Sequence, residues 1–181
     1  MSKRGRDDKG LAGLAGSGGT KCIYYGSAGA FADQATTQFF ANSKYASVET
    51  QPSASLDELF GAVTSGSCQF AVVPLENSVS GMLQNVLLKL IENSSLHIVG
   101  ETIVAEEHCL CVQPGTKQEA IRTVMSHPHL LMQTDKFLCG LEAANGGNRL
   151  HRLPTFDSAG ACALVDAPSK AAIASRRAGS A

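Results

Sequence analysis

Glycine and small polar residues follow several predicted strands of this sequence, at positions where they can act on a ligand. The first such segment is GSAGAF, residues 26–31, between a predicted strand and a predicted helix. Glycine lets the backbone turn sharply and approach a ligand closely, and the helix N-terminus that follows offers free N–H groups to an anion. Many strand-to-helix turns need glycine for their geometry alone, so a purely structural role stays open.

The second segment, VVPLENSVSG at residues 72–81, places three hydrogen-bonding side chains after an apolar run. The run QFAVVPL predicts a strand buried on both faces, and Glu76, Asn77 and Ser78 follow it. Ligands of open α/β sheets bind beyond the carboxyl ends of the strands, which favours a binding role. A helix cap is the alternative, because Asn77 or Ser78 can accept hydrogen bonds from the first amides of a helix.

The third segment, SHPHLLMQT at residues 126–134, predicts a turn that leads into a helix, with Pro128 at the first helical position. His127 and His129 are two residues apart and lack a third nearby ligand, which makes a poor zinc site. Gln133 lies further along the same helix and can face the same side.

The fourth segment, FDSAGACA at residues 156–163, begins a helix with small residues. Asp157 or Ser158 can cap that helix, and small residues in its first turn permit close packing or the approach of an anion. A capped helix without any ligand is the simpler interpretation of this segment taken alone.

The composition excludes several classes of function. The chain has 181 residues, 44% of them apolar, and a net charge of −1, so nothing in its charge favours nucleic acid or an anionic membrane. No apolar stretch approaches the roughly 20 residues of a membrane span. The six cysteines show no CxxC spacing, and Cys109 and Cys111 lie in an apolar run, which favours buried, reduced thiols in an intracellular protein.

The pattern of elements predicts an α/β fold with a mostly parallel sheet, because short apolar runs alternate with helix-length segments. Residues 96–114 predict one or two strands with a break at glycine, and residues 130–141 predict one helix. Residues 1–20 combine charges with a glycine-rich tract, which predicts disorder. A transit-peptide remnant or a basic arm are the alternatives for this N-terminal stretch.

Seven segments, taken in order, resemble one family, the prephenate dehydratases and the plant-like arogenate dehydratases. The resemblance runs from about Ile23 to Ala178, and PLENS and SHPxxLxQ are its most specific parts. The matching segments are GSAGAF, AVVPLENSVSG, LHIVGE, HCLCVQPG, SHPHLLMQ, DSAGACA and AAIAS.

This resemblance implies a two-lobed, periplasmic-binding-protein-like (type II) fold, with lobe 1 at about 21–100, lobe 2 at about 101–178 and the ligand cleft between them. It implies the loss of carbon dioxide and the ring hydroxyl from prephenate, giving phenylpyruvate on the route to phenylalanine, or the conversion of arogenate to phenylalanine. It implies no metal and no organic cofactor, a small-molecule substrate, a homodimer, and a location in the cytoplasm, or in a plastid if the source is a plant or alga.

The resemblance also assigns roles by position. Ser158 stands where the family usually has threonine, so the hydroxyl is kept, and His129 stands where glutamine is common. The implied catalytic residues are Glu76, Asn77, Ser126, Gln133 and Ser158. The implied substrate-binding residues are Gly29, Ala30, Phe31, Ser78 and His127.

The family's catalytic domain continues to an Asn-x-Thr-Arg-Phe segment, whose threonine is taken as the main catalytic hydroxyl. The 181 residues contain no Thr-Arg-Phe string, and the regulatory ACT domain is absent from them. The return of the chain to lobe 1 after KAAIAS is expected to be missing as well. Three interpretations stay open: a fragment of an active enzyme, an inactive relative that only binds the acid, or a chain completed by a second polypeptide.

Overall fold

The computed structural model describes residues 19–41 and 47–180. Most of the predicted disordered segment, residues 1–18, therefore lies outside the described residues. Its last residue, Thr20, is already the first residue of a strand.

Lobe 1 is built on a parallel three-stranded sheet with the strand order β2-β1-β3. Parallel neighbours need a crossover connection, and two helices supply it. The strands are β1 (Thr20–Tyr25), β2 (Val48–Ser53) and β3 (Phe70–Val72), and the helices are α1 (Phe31–Ala41) and α2 (Leu56–Thr64). The Ser55 hydroxyl caps α2 by accepting a hydrogen bond from the backbone N–H of Glu58.

The core of lobe 1 forms where α2 packs on the inner face of β1. Its buried side chains are Ile23, Leu59, Phe60 and Cys68. A short hairpin and one helix follow the sheet and belong to the same lobe. They are β4 (Glu76–Asn77), β5 (Gly81–Met82) and α3 (Gln84–Glu92).

Lobe 2 is built on a mixed four-stranded sheet with the strand order β6-β9-β7-β8. The strand β7 runs parallel to both of its neighbours, whereas the edge strand β6 is antiparallel to β9. The strands are β6 (His108–Cys111), β7 (Thr123–Ser126), β8 (His151–Pro154) and β9 (Lys170–Ser175). The helices are α4 (Pro128–Gln133), α5 (Asp135–Ala144) and α6 (Ser158–Cys162). The core includes Val124, Leu138, Leu141 and Ile173.

The two lobes meet where the short helix α7 (Arg176–Gly179) follows β9. The Ser175 hydroxyl donates a hydrogen bond of 2.7 Å to the carbonyl of Gly29 in lobe 1. The Arg177 guanidinium lies 3.4 Å from the Asp33 carboxylate on α1. These contacts place the residues that follow β9 against lobe 1. We call this contact region, formed by residues 27–33 and 175–179, the seam.

Three local predictions differ from the structure. The run at residues 69–75 was expected to be buried on both faces, but β3 has one neighbour in the described sheet and Ala71 is exposed. Residues 96–107 form neither strand nor helix, and Ile103 is 88% exposed. The single helix predicted at 130–141 is divided at Thr134, whose hydroxyl donates to the carbonyl of Leu130. Within the described ranges, no helix has the length and hydropathy needed to cross a membrane.

Candidate active site

The turn after β1 brings Gly29 into contact with lobe 2. Gly29 has a φ of +83°, which favours glycine, and a Cβ at this position would lie 2.9 Å from the Cα of Ala178. Its N–H donates to the buried carboxylate of Asp33, at 2.8 Å. The glycine is thus required by the approach of α7, and its own N–H is already bonded to Asp33.

The Asn77 side chain organises the turn between β4 and β5. Its carbonyl oxygen accepts hydrogen bonds from the backbone N–H groups of Val79 and Ser80, at 2.8 and 3.3 Å. Its amide nitrogen donates to the Glu106 carboxylate, at 2.5 Å. Asn77 therefore ties the hairpin of lobe 1 to the segment that enters β6. The neighbouring side chains of Glu76 and Ser78 are exposed and make no hydrogen bond within the described residues.

The same carboxylate leads to Phe31 through a histidine. The Nε2 atom of His108 lies 3.9 Å from the Glu106 carboxylate. The His108 ring meets the Phe31 ring edge-on, with centroids 5.6 Å apart. Its Nδ1 atom is buried and has no hydrogen-bond partner among the described residues. Two predicted site residues, Asn77 and Phe31, are thus linked by Glu106 and His108.

The Ser-His pair at the end of β7 has two different environments. Ser126 is fully buried, and its hydroxyl donates to the carbonyl of Ile173 at 2.6 Å, which fixes β7 to β9. His127 is exposed and caps α4, because its Nδ1 accepts a hydrogen bond from the N–H of His129. Partial desolvation and the neighbouring His129 lower the pKa of His127, and the Asp157 carboxylate opposes this shift. Gln133 is half-buried at the end of α4.

The Asp157 carboxylate joins the two lobes beside Ser158. One oxygen accepts from the backbone N–H of Gly160 at 2.6 Å and caps α6, as the sequence allows. The other oxygen accepts from the Ser27 hydroxyl of lobe 1 at 2.7 Å. Ser158 is half-buried as the first residue of α6. Asp157 therefore places Ser158 opposite the turn that carries Ser27.

The structure gathers these residues into two groups that share the turn at residues 27–31. The Asp157 group consists of Ser27, His127, Asp157 and Ser158. The Asn77 group consists of Phe31, Asn77, Glu106 and His108. The contacts do not bring Gln133, Glu76 or Ser78 into either group, and Ala30 is half-buried in the turn itself.

Four members of these groups were not predicted as site residues. Ser27 lies inside GSAGAF, and Asp157 was predicted only as a helix cap. Glu106 lies near the end of the irregular segment at 96–107 and His108 follows that segment, and a carboxylate two residues before a histidine was the signal available in the sequence. Their partners are 29 to 130 residues away along the chain, so no local pattern predicts the contacts.

A cavity of about 570 Å³ opens beside the seam. Phe31 is the one predicted site residue in its wall. Arg177 in that wall pairs with Asp33 and donates to the Thr37 hydroxyl at 3.1 Å. The lining residues are Phe31, Gln34, Ala105, Glu107, Ser175, Arg176, Arg177 and Ser180.

The two groups can supply hydrogen bonds and proton transfer. Hydroxyl and amide donors can hold carboxylates, and a carboxylate next to an imidazole can hold or move a proton. Across the part of the chain that the structure describes, no three His, Cys, Asp or Glu side chains are placed to hold a metal ion.

Residues 22–181 match the family model described as prephenate dehydratase. A bifunctional chorismate mutase/prephenate dehydratase of Escherichia coli K12 is 36% identical over 118 residues, which cover 65% of this chain and 30% of that protein. The arogenate dehydratase/prephenate dehydratase 2, chloroplastic, of Arabidopsis thaliana is 34% identical and covers 87% of this chain and 39% of its own length. The chain thus spans about a third of the curated relatives it matches.

Solved structures agree in fold. A prephenate dehydratase from Arthrobacter aurescens, in complex with L-Phe, gives a TM-score of 0.74 at 23% identity and covers 88% of this chain and 51% of that chain. GqqA, described as a novel type of quorum quenching acylase, gives a TM-score of 0.69 at 28% identity, with coverage of 88% and 55%. The predicted two-lobed, periplasmic-binding-protein-like fold is confirmed. Because the family model matches nearly the whole described chain, the chain belongs to the prephenate dehydratase family.

Proposed function

We propose that this chain acts as a prephenate dehydratase, which converts prephenate to phenylpyruvate with loss of carbon dioxide and water in the biosynthesis of phenylalanine. The family match over residues 22–181 is the observation that carries this proposal. The Asp157 carboxylate supports it, because this group accepts a hydrogen bond from Ser27 at 2.7 Å and acts on the charge of His127, which brings three separate motifs together.

The substrate's chemistry fits the residue types of the candidate site. Prephenate carries two carboxylates, which hydroxyl and amide donors can hold, and its departing hydroxyl needs a proton or a strong hydrogen bond. We assign Ser158 and Gln133 to binding and orienting the acid. We assign Asn77 to binding the acid as well as to shaping its own turn, and we assign the exposed Glu76 to the same network once the acid is bound.

Two of the predicted residues receive modified roles in this proposal. The Ser126 hydroxyl is fully buried and bonded to the Ile173 carbonyl, so we assign it to positioning His127. Gly29 is held against Ala178, so we assign it to joining the lobes, while Ala30 and Phe31 line the substrate side.

Arogenate is the second candidate substrate. It carries an amino group in place of the keto group of prephenate and would give phenylalanine directly. The name of the relative from Arabidopsis thaliana, which covers 87% of this chain, includes both activities. The test therefore uses both acids in separate reactions.

Location, assembly and domain limits belong to the same proposal. We place the protein in the cytoplasm, or in a plastid if its source is a plant or alga, as a homodimer. We assign residues 21–181 to the catalytic domain, with lobe 1 at about 21–100 and lobe 2 at about 101–178. Light scattering after size exclusion tests the dimer, and a mass of one chain would contradict it.

The purified chain is incubated with prephenate and, separately, with arogenate, and phenylpyruvate and phenylalanine are measured. Product above the uncatalysed rate supports the dehydratase. Saturable binding without product in either reaction would instead favour a relative that only binds the acid. If neither product formation nor binding is detected, the proposal is rejected.

Gln133→Ala tests the assignment of the amide. A hydrogen bond to a charged group contributes about 1.5–3 kcal/mol, so we expect kcat/KM to fall about 10- to 150-fold. The matched control is Gln84→Ala, an exposed glutamine at the start of α3 in lobe 1, which should leave kcat/KM unchanged. Unchanged turnover and substrate affinity in Gln133→Ala would contradict the assignment of Gln133 to substrate binding.

A further inference from the structure

Two cysteines from different elements lie side by side behind the seam. Cys111 ends β6, and Cys162 ends α6. Both are half-buried and pack against the same two buried clusters, one with Met125 and Ala161 and the other with Ala174 and Ala178. The Cys111 thiol donates a hydrogen bond to the Cys109 carbonyl at 3.6 Å, and the Cys162 side chain lies close enough to shift the pKa of Cys111. The two sulfurs are therefore already neighbours in the reduced protein.

The surroundings of the pair give the two sulfurs different acidities. When Cys111 is ionised, a hydrogen bond from the Cys162 thiol, helped by the backbone N–H of Ala174 and opposed by burial, lowers the pKa of Cys111 to about 7. The same hydrogen bond and burial raise the pKa of Cys162, and the charges of Cys111 and Asp157 act in the same direction. A reactive thiolate next to a protonated thiol is the arrangement in which the first sulfur attacks and the second resolves.

The sulfur of Cys111 also touches the helix that forms the seam. A Cβ on Gly179 would overlap this sulfur, so α7 lies directly against it without room for another atom. Ala178, the preceding residue, is the residue that meets Gly29 of lobe 1. An atom added to the Cys111 sulfur on the side of α7 would therefore displace that helix.

The chain contains a second pair of neighbouring cysteines with the opposite properties. Cys22 and Cys68 are 0% and 2% exposed. Burial raises the pKa of both thiols, to about 12 for Cys22, and the charge of Cys68 adds to the effect on Cys22. Buried thiols of this kind are inert, so this pair serves as an internal control.

We propose that Cys111 and Cys162 form an oxidisable dithiol, which hydroperoxides convert reversibly to an intramolecular disulfide behind the seam. The Cys111 thiolate attacks one oxygen of the hydroperoxide and becomes a sulfenic acid, and the other oxygen leaves as hydroxide or alkoxide and takes up a proton. The Cys162 sulfur then attacks the Cys111 sulfur, its proton leaves with the sulfenic hydroxyl as water, and the S–S bond forms. The two thiols are oxidised by two electrons and the hydroperoxide is reduced.

The disulfide alters the support of α7. Bond formation brings the two sulfurs to about 2 Å and moves the Cys111 sulfur relative to Gly179. The backbone N–H of Ala178 donates to the Ser175 hydroxyl at 3.1 Å, so the hydrogen exchange of this amide is sensitive to a movement of α7. We infer a change in the hydrogen exchange of this amide on oxidation. This site is independent of the proposed dehydratase activity, and its test does not use that activity.

The test treats the folded chain with hydrogen peroxide, blocks the remaining thiols with N-ethylmaleimide and maps peptides without reduction. We expect one cross-link, between Cys111 and Cys162, with a loss of two free thiols that dithiothreitol reverses. Cys109 lies in the same peptide as Cys111, so the Cys109→Ser variant shows which of the two is cross-linked. The cross-link should persist in this variant. A Cys22–Cys68 cross-link at the same rate, or oxidation confined to the exposed Cys139, would overturn the proposal.

Two serine variants separate the roles of the sulfurs. Cys162→Ser should accumulate a sulfenic acid at Cys111 that dimedone traps, whereas Cys111→Ser should leave Cys162 unmodified. Oxidation of Cys162 in Cys111→Ser would contradict the assigned order of attack. If either variant fails to fold by circular dichroism, the cross-link map of the wild-type chain decides alone.

Discussion

Replacement of Gly29 by alanine should destabilise the protein more than replacement of Gly66, although both backbones are left-handed. Their φ values are +83° and +79°. An alanine in this conformation costs about 1–2 kcal/mol relative to glycine. Gly66 is exposed after α2, and an added Cβ there meets nothing within 4 Å, so Gly66→Ala measures the backbone cost alone.

Gly29→Ala adds a steric cost at the seam. The new Cβ would lie 2.9 Å from the Cα of Ala178 and 3.2 Å from its Cβ and nitrogen. Carbon atoms pack at about 3.5–4.0 Å, so α7 must move away by several tenths of an ångström. Overpacking of this kind costs about 1–3 kcal/mol, so Gly29→Ala should lose about 2–5 kcal/mol of unfolding free energy in total.

The assay is urea unfolding followed by far-UV circular dichroism, since the chain has no tryptophan. The difference between the two variants isolates the seam contact, and we expect about 1–3 kcal/mol. Gly29→Ala combined with Ala178→Gly should recover part of that difference, because contacting residues are not additive. Equal losses in Gly29→Ala and Gly66→Ala would refute the contact between α7 and the turn, and with it the seam.

Three further predictions concern single contacts. Because the pKa of His127 is lowered in the folded protein, the unfolded chain binds more protons than the folded chain just below pH 6.5, so the unfolding free energy should rise with pH there. NMR titration of His127 should show a midpoint below 6.5, and Asp157→Asn should lower that midpoint further, because the Asp157 charge opposes the shift. Ser27→Ala should lower the unfolding free energy by about 1 kcal/mol, measured in urea, because it removes a hydrogen bond between the lobes. A hydrogen bond from the Leu150 N–H lowers the pKa of Glu142, so Glu142→Gln should destabilise the protein more at pH 7 than at pH 3 in urea unfolding.

Each of these contacts has a control. Ser65→Ala removes an exposed hydroxyl that bonds within lobe 1, so it should cost less than Ser27→Ala. A rise in the pKa of His127 in Asp157→Asn would contradict the placement of the two side chains. An equal effect of Glu142→Gln at both pH values would show that the Leu150 contact contributes nothing specific to the ionised form.

The elements of the fold were predictable where their signals are local. The Ser55 cap, the Pro128 position and the glycine that ends α2 depend on residues a few positions apart. The edge position of β3 and the irregular segment at residues 96–107 depend on which strands pair. An apolar run in the sequence does not distinguish a central strand from an edge strand or an unpaired segment.

The candidate site was predictable in its location but not in its contacts. Strand ends marked the turns that carry Phe31, Asn77 and Ser158, because small polar residues accumulate there. The partner of Asp157 is 130 residues away, and the partner of Asn77 is 29 residues away. Such pairs depend on how the lobes meet, which hydrophobic periodicity does not encode.

The turn at residues 26–31 shows why a motif and its physical role must be separated. A glycine there is expected for a ligand-binding turn, yet the space that Gly29 leaves is filled by Ala178. The requirement for glycine at this position is met without any ligand, so it cannot count as evidence for one. The evidence for binding must come from side chains that packing does not explain, and the buried, unpartnered Nδ1 of His108 beside Phe31 is such a group among the described residues.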